Sequence, residues 1–269
     1  MSIFNFNLDE MVSFVAVLIR FSVLMSVLPF FGDKLIPLPV RVLLSLSTTI
    51  ALFPVLVAGK YIHTQDAQIW GSTSGGLVAT MALEVVFALV LGFSAKISFD
   101  GISFGANLVG TFMGFASASI YDPHQESQTE VIAQLQTTLA MLLFLILDGH
   151  HLLLRAALDS YRVVGLGGMG FYPSLIQKMI QMTGDVIRLG LQIAAPVAVS
   201  IFAVNVVFGI LSKAMPQLNV FMLSFAVTAL VGFVVMFLSV EEFQGLARSV
   251  FEKMGDSMWI VMQTIASRR

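Results

Sequence analysis

The chain has no cysteine and very few charged residues. Of its 269 residues, 11% are charged and 57% are hydrophobic, and the mean hydropathy is +0.91. The absence of cysteine excludes disulfide bonds, thiol catalysis and metal sites built from cysteine. Soluble domains carry about 25% charged residues. The shortage of charge therefore predicts an integral membrane protein or a subunit of a membrane complex.

Several other features are missing from the sequence. The net charge is −2, so there is no basic excess to bind nucleic acid. The first eleven residues, MSIFNFNLDEM, are acidic where a signal peptide is basic, and we expect no cleavage. No P-loop, zinc-protease or dinucleotide-binding motif occurs. The segment GSTSG at 71–75 has the wrong spacing for a serine nucleophile, and Asp122 and Asp185 do not match an aspartyl-protease dyad. We expect no enzyme activity, no catalytic residue and no cofactor.

Two adjacent histidines, His150 and His151, are the remaining metal-ligand candidates. Neighbouring positions on a helix point about 100° apart. We therefore expect that they do not bind one ion together, and we predict no metal site.

Long apolar runs dominate what is present. They lie at about 11–31, 40–58, 76–99, 101–120, 131–155, 186–212 and 218–240. About 20 apolar residues cross the hydrocarbon core of a bilayer, and the backbone of a spanning segment must be helical here to satisfy its hydrogen bonds. The pattern predicts an all-α, integral membrane-type protein. The third and fourth runs are close enough to form one long helix.

Two segments outside the longest runs have patterns of their own. The stretch 163–174, VVGLGGMGFYPS, is rich in glycine and is the best candidate for a flexible joint between two halves of the chain. The last segment, about 241–265, has apolar residues at helical spacing. This spacing predicts an amphipathic helix that docks on a partner or on the membrane surface.

Ionisable residues inside the apolar runs are candidate buried charges: Glu84, Lys96, Asp100, Asp148, Arg155 and Asp159, with Arg20 and Arg188 in similar positions. A charge at the bilayer centre costs about 2.5–3.5 kcal/mol, so these residues must face protein or water. Lys96 with Asp100 and Arg155 with Asp159 are spaced to pair within one helix. Glu84 has no local partner and needs one from elsewhere. The charges either hold helices together or line a polar route.

The stretch 105–129, GANLVGTFMGFASASIYDPHQESQT, combines small residues with a break. Gly101 with Gly105, and Gly110 with Gly114, are spaced so that helices can approach closely. Each glycine also weakens a helix by about 1 kcal/mol relative to alanine. Pro123 disfavours helix at the residue before it. The stretch is either a close helix contact or a movable element, and the break favours the second interpretation.

Three blocks in this order resemble the FliR family: GTFMGFASASIYDP (110–123), LAMLLFLILDGHHLLLRAALDSY (139–161) and LSKAMPQLNVFMLSFAVTALVGF (211–233). These are flagellar biosynthetic proteins of the type III secretion export gate, with virulence relatives of the SpaR and YscT type. The resemblance covers nearly the whole chain. It implies a core subunit without enzyme activity that helps to form and close a channel for unfolded flagellar proteins.

The resemblance also implies an architecture and partners. Residues 1–170 correspond to a FliP-like helical part and residues 171–269 to a FliQ-like helical hairpin, in a right-handed helical hetero-oligomer. The partners are FliP and FliQ subunits, FlhB, the exported flagellar proteins and membrane lipids, in the bacterial inner membrane at the flagellar basal body. The implied channel plug loop, roughly 110–124, contains Gly110, Phe112, Met113, Gly114, Phe115, Ile120, Asp122 and Pro123.

The sequence also allows one alternative function. A stand-alone secondary transporter would bind a solute or a proton through Lys96, Asp100, Asp148 and Arg155. Transporter folds usually contain two related halves, and the sequence shows no convincing internal repeat.

Overall fold

A computed structural model of the chain describes residues 7–32, 36–115, 128–170, 172–217 and 219–266. These residues form α-helices and one short 3-10 turn, Thr64–Asp66, and they contain no β-strand. The helices are α1 Leu8–Val27, α2 Leu38–Ala58, α3 Ala67–Trp70, α4 Ser74–Phe112, α5 Gln128–Ile146, α6 Gly149–Val163, α7 Pro173–Ala214, α8 Val220–Leu238 and α9 Val240–Ala266. The predicted all-α fold is confirmed.

Several of these helices have the length and composition of membrane spans. Within the described ranges, α1, α2, α4 and α7 are each long and apolar enough to cross a bilayer. The number rises from four to six if the bent pairs α5–α6 and α8–α9 each count as one span. The membrane-type character predicted from the sequence is thus confirmed, although the helices do not follow the apolar runs one by one.

Two of the predicted runs are merged and another is broken. The runs at 76–99 and 101–120 contribute to one helix of 39 residues, α4. The run at 131–155, which we expected to be continuous, is interrupted between α5 and α6. Asp148 lies at this break with φ 55° and ψ 28°. A left-handed residue cannot continue a right-handed helix, so α5 ends before Asp148 and α6 begins after it.

The chain forms two compact units built from interleaved segments. Unit 1 comprises Met1–Ile97, Asp148–Ile180 and Lys253–Arg269, and unit 2 comprises Ser98–Leu147 and Gln181–Glu252. These boundaries fall inside α4, α7 and α9 and at the break between α5 and α6. The FliR resemblance implies a different division, at residue 170, which is based on correspondence to FliP and FliQ and not on packing. That division stays a prediction.

The predicted amphipathic helix at 241–265 is present as α9, but its apolar stripe is covered by the chain itself. Met254, Met258 and Val261 are fully buried in unit 1. In unit 2 the Phe251 ring packs against Phe144, with centroids 5.2 Å apart. The prediction that this stripe docks on a partner or on the membrane is therefore wrong, because helices of the same chain supply the apolar surface that the stripe requires.

Candidate functional site

The implied plug loop begins at the end of α4, in unit 2. The structure describes Gly110, Phe112, Met113, Gly114 and Phe115, whereas Ile120, Asp122 and Pro123 lie outside the described residues. Helix α4 ends at Phe112. The next two residues still donate backbone hydrogen bonds to the helix, from Met113 N to Val109 O at 3.0 Å and from Gly114 N to Thr111 O at 3.1 Å.

Met113 anchors this segment to α8. Its side chain is completely buried, and it lies over Gly232, where a Cβ would come within 2.5 Å of Met113 Cγ and 2.6 Å of Cε. The Thr228 hydroxyl lies 3.3 Å from the carbonyl oxygen of Met113, to which it can donate. The absence of a side chain at position 232 therefore creates the space that Met113 fills.

Aromatic rings continue the contact beyond Met113. The ring of Phe115 packs edge-on against Phe225 at 5.7 Å and Phe233 at 6.4 Å between centroids. Gly110 is buried, while Phe112 remains 40% exposed. Met113 and Phe115 thus attach the segment to α8, whereas the ring of Phe112 is partly exposed.

The glycines of this region have different roles. Gly114 has φ +90°, a conformation that side chains with a Cβ rarely adopt, and it stands where α4 ends. Gly101 and Gly105 face α7: a Cβ would lie 2.8 Å from Leu189 Cδ2 at the first position and 2.8 Å from Ile193 Cβ at the second. Close packing explains Gly101 and Gly105, whereas backbone conformation explains Gly114.

A second cluster of predicted residues lies in unit 1, around a buried ion pair. Arg20 on α1 donates from Nε to Glu84 Oε2 at 2.5 Å and from Nη2 to Glu84 Oε1 at 2.9 Å. Both side chains are 1% exposed. Two parallel bonds between a guanidinium and a carboxylate form the strongest and most directional kind of ion pair. Arg20 is therefore the distant partner that Glu84 was predicted to need.

The remaining donors of Arg20 hold the chain that follows α6. Nη1 donates to Ser160 Oγ at 3.2 Å and to Val164 O at 3.1 Å, and Nη2 donates to Gly165 O at 3.3 Å. Together with the two bonds to Glu84, these bonds use all five guanidinium N–H groups.

Glu84 and two aromatic rings complete the network. Gly167 N donates to Glu84 Oε1 at 2.7 Å, and Gly167 has φ +66°. The guanidinium carbon lies 4.4 Å from the Phe87 ring centroid and 4.1 Å from that of Tyr161. These bonds fasten residues 164–167, part of the stretch that the sequence predicted to be a flexible joint.

The other predicted charges are much less buried. Lys96, Asp148 and Arg155 are exposed, and Asp100 and Asp159 are half-buried. Asp159 forms its ion pair with Arg162 at 3.0 Å and not, as predicted, with Arg155. Since Arg162 follows Asp159 by three residues, it also lies on the same side of α6.

A groove of about 600 Å³ in unit 1 brings three of these charges together. Asp148, Arg155 and Asp159 line it along with His151, whereas Lys96 and Asp100 do not. Of the four residues that a transporter would use, Asp148 and Arg155 therefore share this groove.

The two adjacent histidines are closer than the helix geometry predicted. Their ring centroids are 4.2 Å apart, and ligand atoms of Asp148, His150 and His151 all lie within 4.8 Å of one another. The prediction that the rings point too far apart to share an ion is wrong. The 100° separation applies to the Cβ directions, and rotation about χ1 and χ2 brings both rings to one side.

The contacts on α8 were not predicted from the sequence. Gly232 is a single glycine in a helix made mostly of bulky apolar residues, VFMLSFAVTALVGFVVMFL. This isolated glycine is the sequence feature that could have indicated a close contact on α8. Arg20 was noted as a charge in an apolar run, but its pairing with Glu84 joins positions 64 residues apart. No local spacing reveals such a pair.

Comparison with known proteins places the chain in a family. Residues 11–254 match the family model of bacterial export proteins, family 1. The chain is 24% identical to the flagellar biosynthetic protein FliR of Pectobacterium carotovorum over 267 residues, covering 98% of this chain and 99% of the relative. It is 25% identical over 215 residues to FliR of Escherichia coli K12, covering 80% of this chain and 79% of that protein. For FliR of Bacillus subtilis 168 the identity is 24% over 253 residues, covering 92% and 93%.

These matches confirm the resemblance inferred from the three sequence blocks. The family model alone extends over most of the chain. The chain is a member of the bacterial export proteins, family 1.

Proposed function

We propose that this chain is a non-enzymatic core subunit of the flagellar type III export gate in the bacterial inner membrane. The observation that carries the proposal is the end-to-end match with a FliR protein, 98% of this chain against 99% of the relative. Helices that can cross a bilayer support a membrane location. FliP, FliQ and FlhB homologues are the partners we expect, and unfolded flagellar proteins are the cargo.

Uncovered apolar surface supports assembly with other membrane subunits. On α7, Phe202 is 69% exposed, and on α8, Phe237 is 80% exposed. Exposed apolar patches of this kind mark protein or membrane contacts. The FliP-like part at 1–170 and the FliQ-like hairpin at 171–269 belong to this proposal.

Co-expression tests the assembly. We expect the chain produced alone to be degraded or polydisperse, and the chain produced with its FliP and FliQ homologues to purify as a large hetero-oligomer. A stable, monodisperse particle containing only this chain would contradict the proposal and favour the transporter alternative.

Within this function, we assign closure of the channel to the segment 110–124. The described part supports the assignment because Met113 and Phe115 fasten its beginning to α8. Phe112 remains 40% exposed, and the exposed part of the ring is available to exclude water and ions.

The resting conductance of the assembled complex tests the closure. We expect shortening of the loop at 116–124, or the substitution Phe112→Ala, to leave assembly intact and to raise the leak of small ions. Phe93→Ala, which removes an equally exposed ring (40%) from the same helix α4, is the matched control and should leave the membrane tight. A shortened loop that assembles and leaks no more than wild type would exclude a sealing role.

A further inference from the structure

A small cavity in unit 2 is not used by the closure segment. It measures about 40 Å³ and lies among α5, α7 and the junction of α8 with α9. A cavity needs about 10–15 Å³ of this kind of volume to hold one water molecule. This cavity is therefore large enough for one small ion or a few waters.

One wall carries a buried oxygen that has no hydrogen-bond donor. Gln136 on α5 is 8% exposed, and its Oε1 has no partner among the residues that the structure describes. A buried acceptor that lacks a donor is unfavourable, because it has lost its hydrogen bonds to water without replacement. The side chain lines the cavity, so whatever occupies the cavity can satisfy this oxygen.

A second oxygen comes from a break in the bonding of α7. Pro196 lies inside this helix, and its ring nitrogen has no hydrogen to donate to the carbonyl of Gln192, four residues earlier. Gln192 and Pro196 both line the cavity. Freed carbonyls of interrupted helices are the groups that coordinate small cations in membrane proteins.

The opposite wall adds a hydroxyl and a carboxylate. Ser239 lies 2.8 Å from Val235 O, to which its hydroxyl donates, so its lone pairs remain available. Glu242 on α9 lines the cavity and is exposed to solvent. No Lys, Arg or His from the described ranges is among the lining residues.

The lining thus consists of neutral oxygens and one carboxylate. Hard cations prefer oxygen ligands, and calcium takes six to eight of them, with several carboxylates in its tight sites. Three neutral oxygens with a single negative charge suit a monovalent ion. We propose that this cavity binds one alkali cation, held by Gln136 Oε1, the Gln192 carbonyl, Ser239 Oγ and Glu242.

The experiment uses the chain in the complex with which it co-purifies and sodium as the probe. Thermal unfolding of this chain is followed in NaCl and in choline chloride at equal ionic strength and pH, and binding of radioactive sodium is measured in parallel. We expect saturable sodium binding and a midpoint that rises with sodium. Glu242→Gln and Gln136→Leu should each weaken the affinity by about tenfold or more, because one coordinating oxygen loses its charge or disappears.

Glu241→Gln is the matched control. Glu241 is the exposed neighbour of Glu242 and does not line the cavity, so this variant should bind sodium as wild type does. The unfolding midpoint of Gln136→Leu is a second readout. If the cavity held only water, the variant chain would unfold at the same or a higher temperature than wild type. If the cavity holds sodium, the variant loses the rise in midpoint that sodium gives.

Two results would overturn the proposal. The first is an equal midpoint in NaCl and in choline chloride, with no saturable sodium binding to the wild-type complex. The second is the same sodium affinity in Glu242→Gln as in Glu241→Gln, which would place the ion elsewhere. Neither result bears on the role in export, because no residue that the structure describes in the closure segment lines the cavity.

Discussion

Met113 occupies the space that a side chain at position 232 would need. A Cβ on Gly232 would lie 2.5 Å from Met113 Cγ and 2.8 Å from Sδ. The end of α4 and the middle of α8 are therefore fitted to each other in unit 2, at the beginning of the segment to which we assign closure of the channel.

This fit predicts a coupled pair of substitutions. Gly232→Ala should destabilise the chain by about 1–3 kcal/mol, because an added carbon overpacks a filled site. Met113→Ala should cost about 2–5 kcal/mol by leaving a cavity. The double variant should lose less than the sum, since the new methyl group enters the space that Met113 leaves. Thermal unfolding of the co-purified complex measures all three, and strictly additive losses would show that the two residues are not in contact.

The Arg20–Glu84 pair predicts that geometry matters as well as charge. Arg20→Met should destabilise the chain by about 3–5 kcal/mol, because it leaves the Glu84 carboxylate buried without a counter-ion. Arg20→Lys should recover only part of this loss, since an ammonium group cannot reproduce five directed bonds. The measurement is the unfolding midpoint together with the amount of chain recovered from membranes.

Arg162→Lys is the control for this pair. Its side chain is 55% exposed and forms an ion pair with Asp159, so the change in stability should stay within about 0.5 kcal/mol. If Arg20→Lys changed stability as little as Arg162→Lys, the positive charge at position 20 would suffice, and the directed hydrogen bonds of the guanidinium would not contribute to stability.

Replacement by alanine should change stability in opposite directions at two glycines, Gly105, which packs against α7, and Gly184, which lies on α7. Gly105→Ala places a Cβ 2.8 Å from Ile193 Cβ and 3.1 Å from Gly190 Cα, and we expect a loss of about 1–3 kcal/mol. Gly184→Ala meets nothing within 4 Å of the chain and should stabilise α7 by about 0.5–1 kcal/mol. Differential scanning fluorimetry of the two purified variants distinguishes them. A loss at both positions would show that partners cover Gly184 in the complex.

Gly114 predicts a sensitivity to backbone conformation. With φ +90°, Gly114→Ala should cost about 1–2 kcal/mol, although the nearest neighbours of its Cβ, Phe225 at 3.6 Å and Thr228 at 3.9 Å, are at ordinary contact distances. Gly114→Asn adds a larger side chain but tolerates positive φ better. Swimming in soft agar and the unfolding midpoint should both follow the order Gly, Asn, Ala. If Asn were worse than Ala, side-chain size would be the cause.

The fold class and the family could be predicted from the sequence, whereas the packing of the helices could not. Apolar runs determine helices because any other backbone in lipid leaves polar groups unsatisfied. The merging of two runs into α4 was predictable from their closeness. The break at Asp148 was missed because the apolar residues on both sides suggested one continuous run, although Asp148-Gly149 is a dipeptide typical of turns.

The sequence by itself determined that the protein is an all-α membrane protein of an export family and that Glu84 needs a distant partner. It also indicated that the glycines after residue 100 serve either close helix contact or a break in the helix. Only the tertiary structure decided which partner Glu84 has, which glycines serve close packing and which serves a turn, and that the α9 stripe is covered by its own chain. The reason is physical: composition and periodicity depend on near neighbours, whereas ion pairs and helix contacts join residues such as Arg20 and Glu84, which are 64 positions apart.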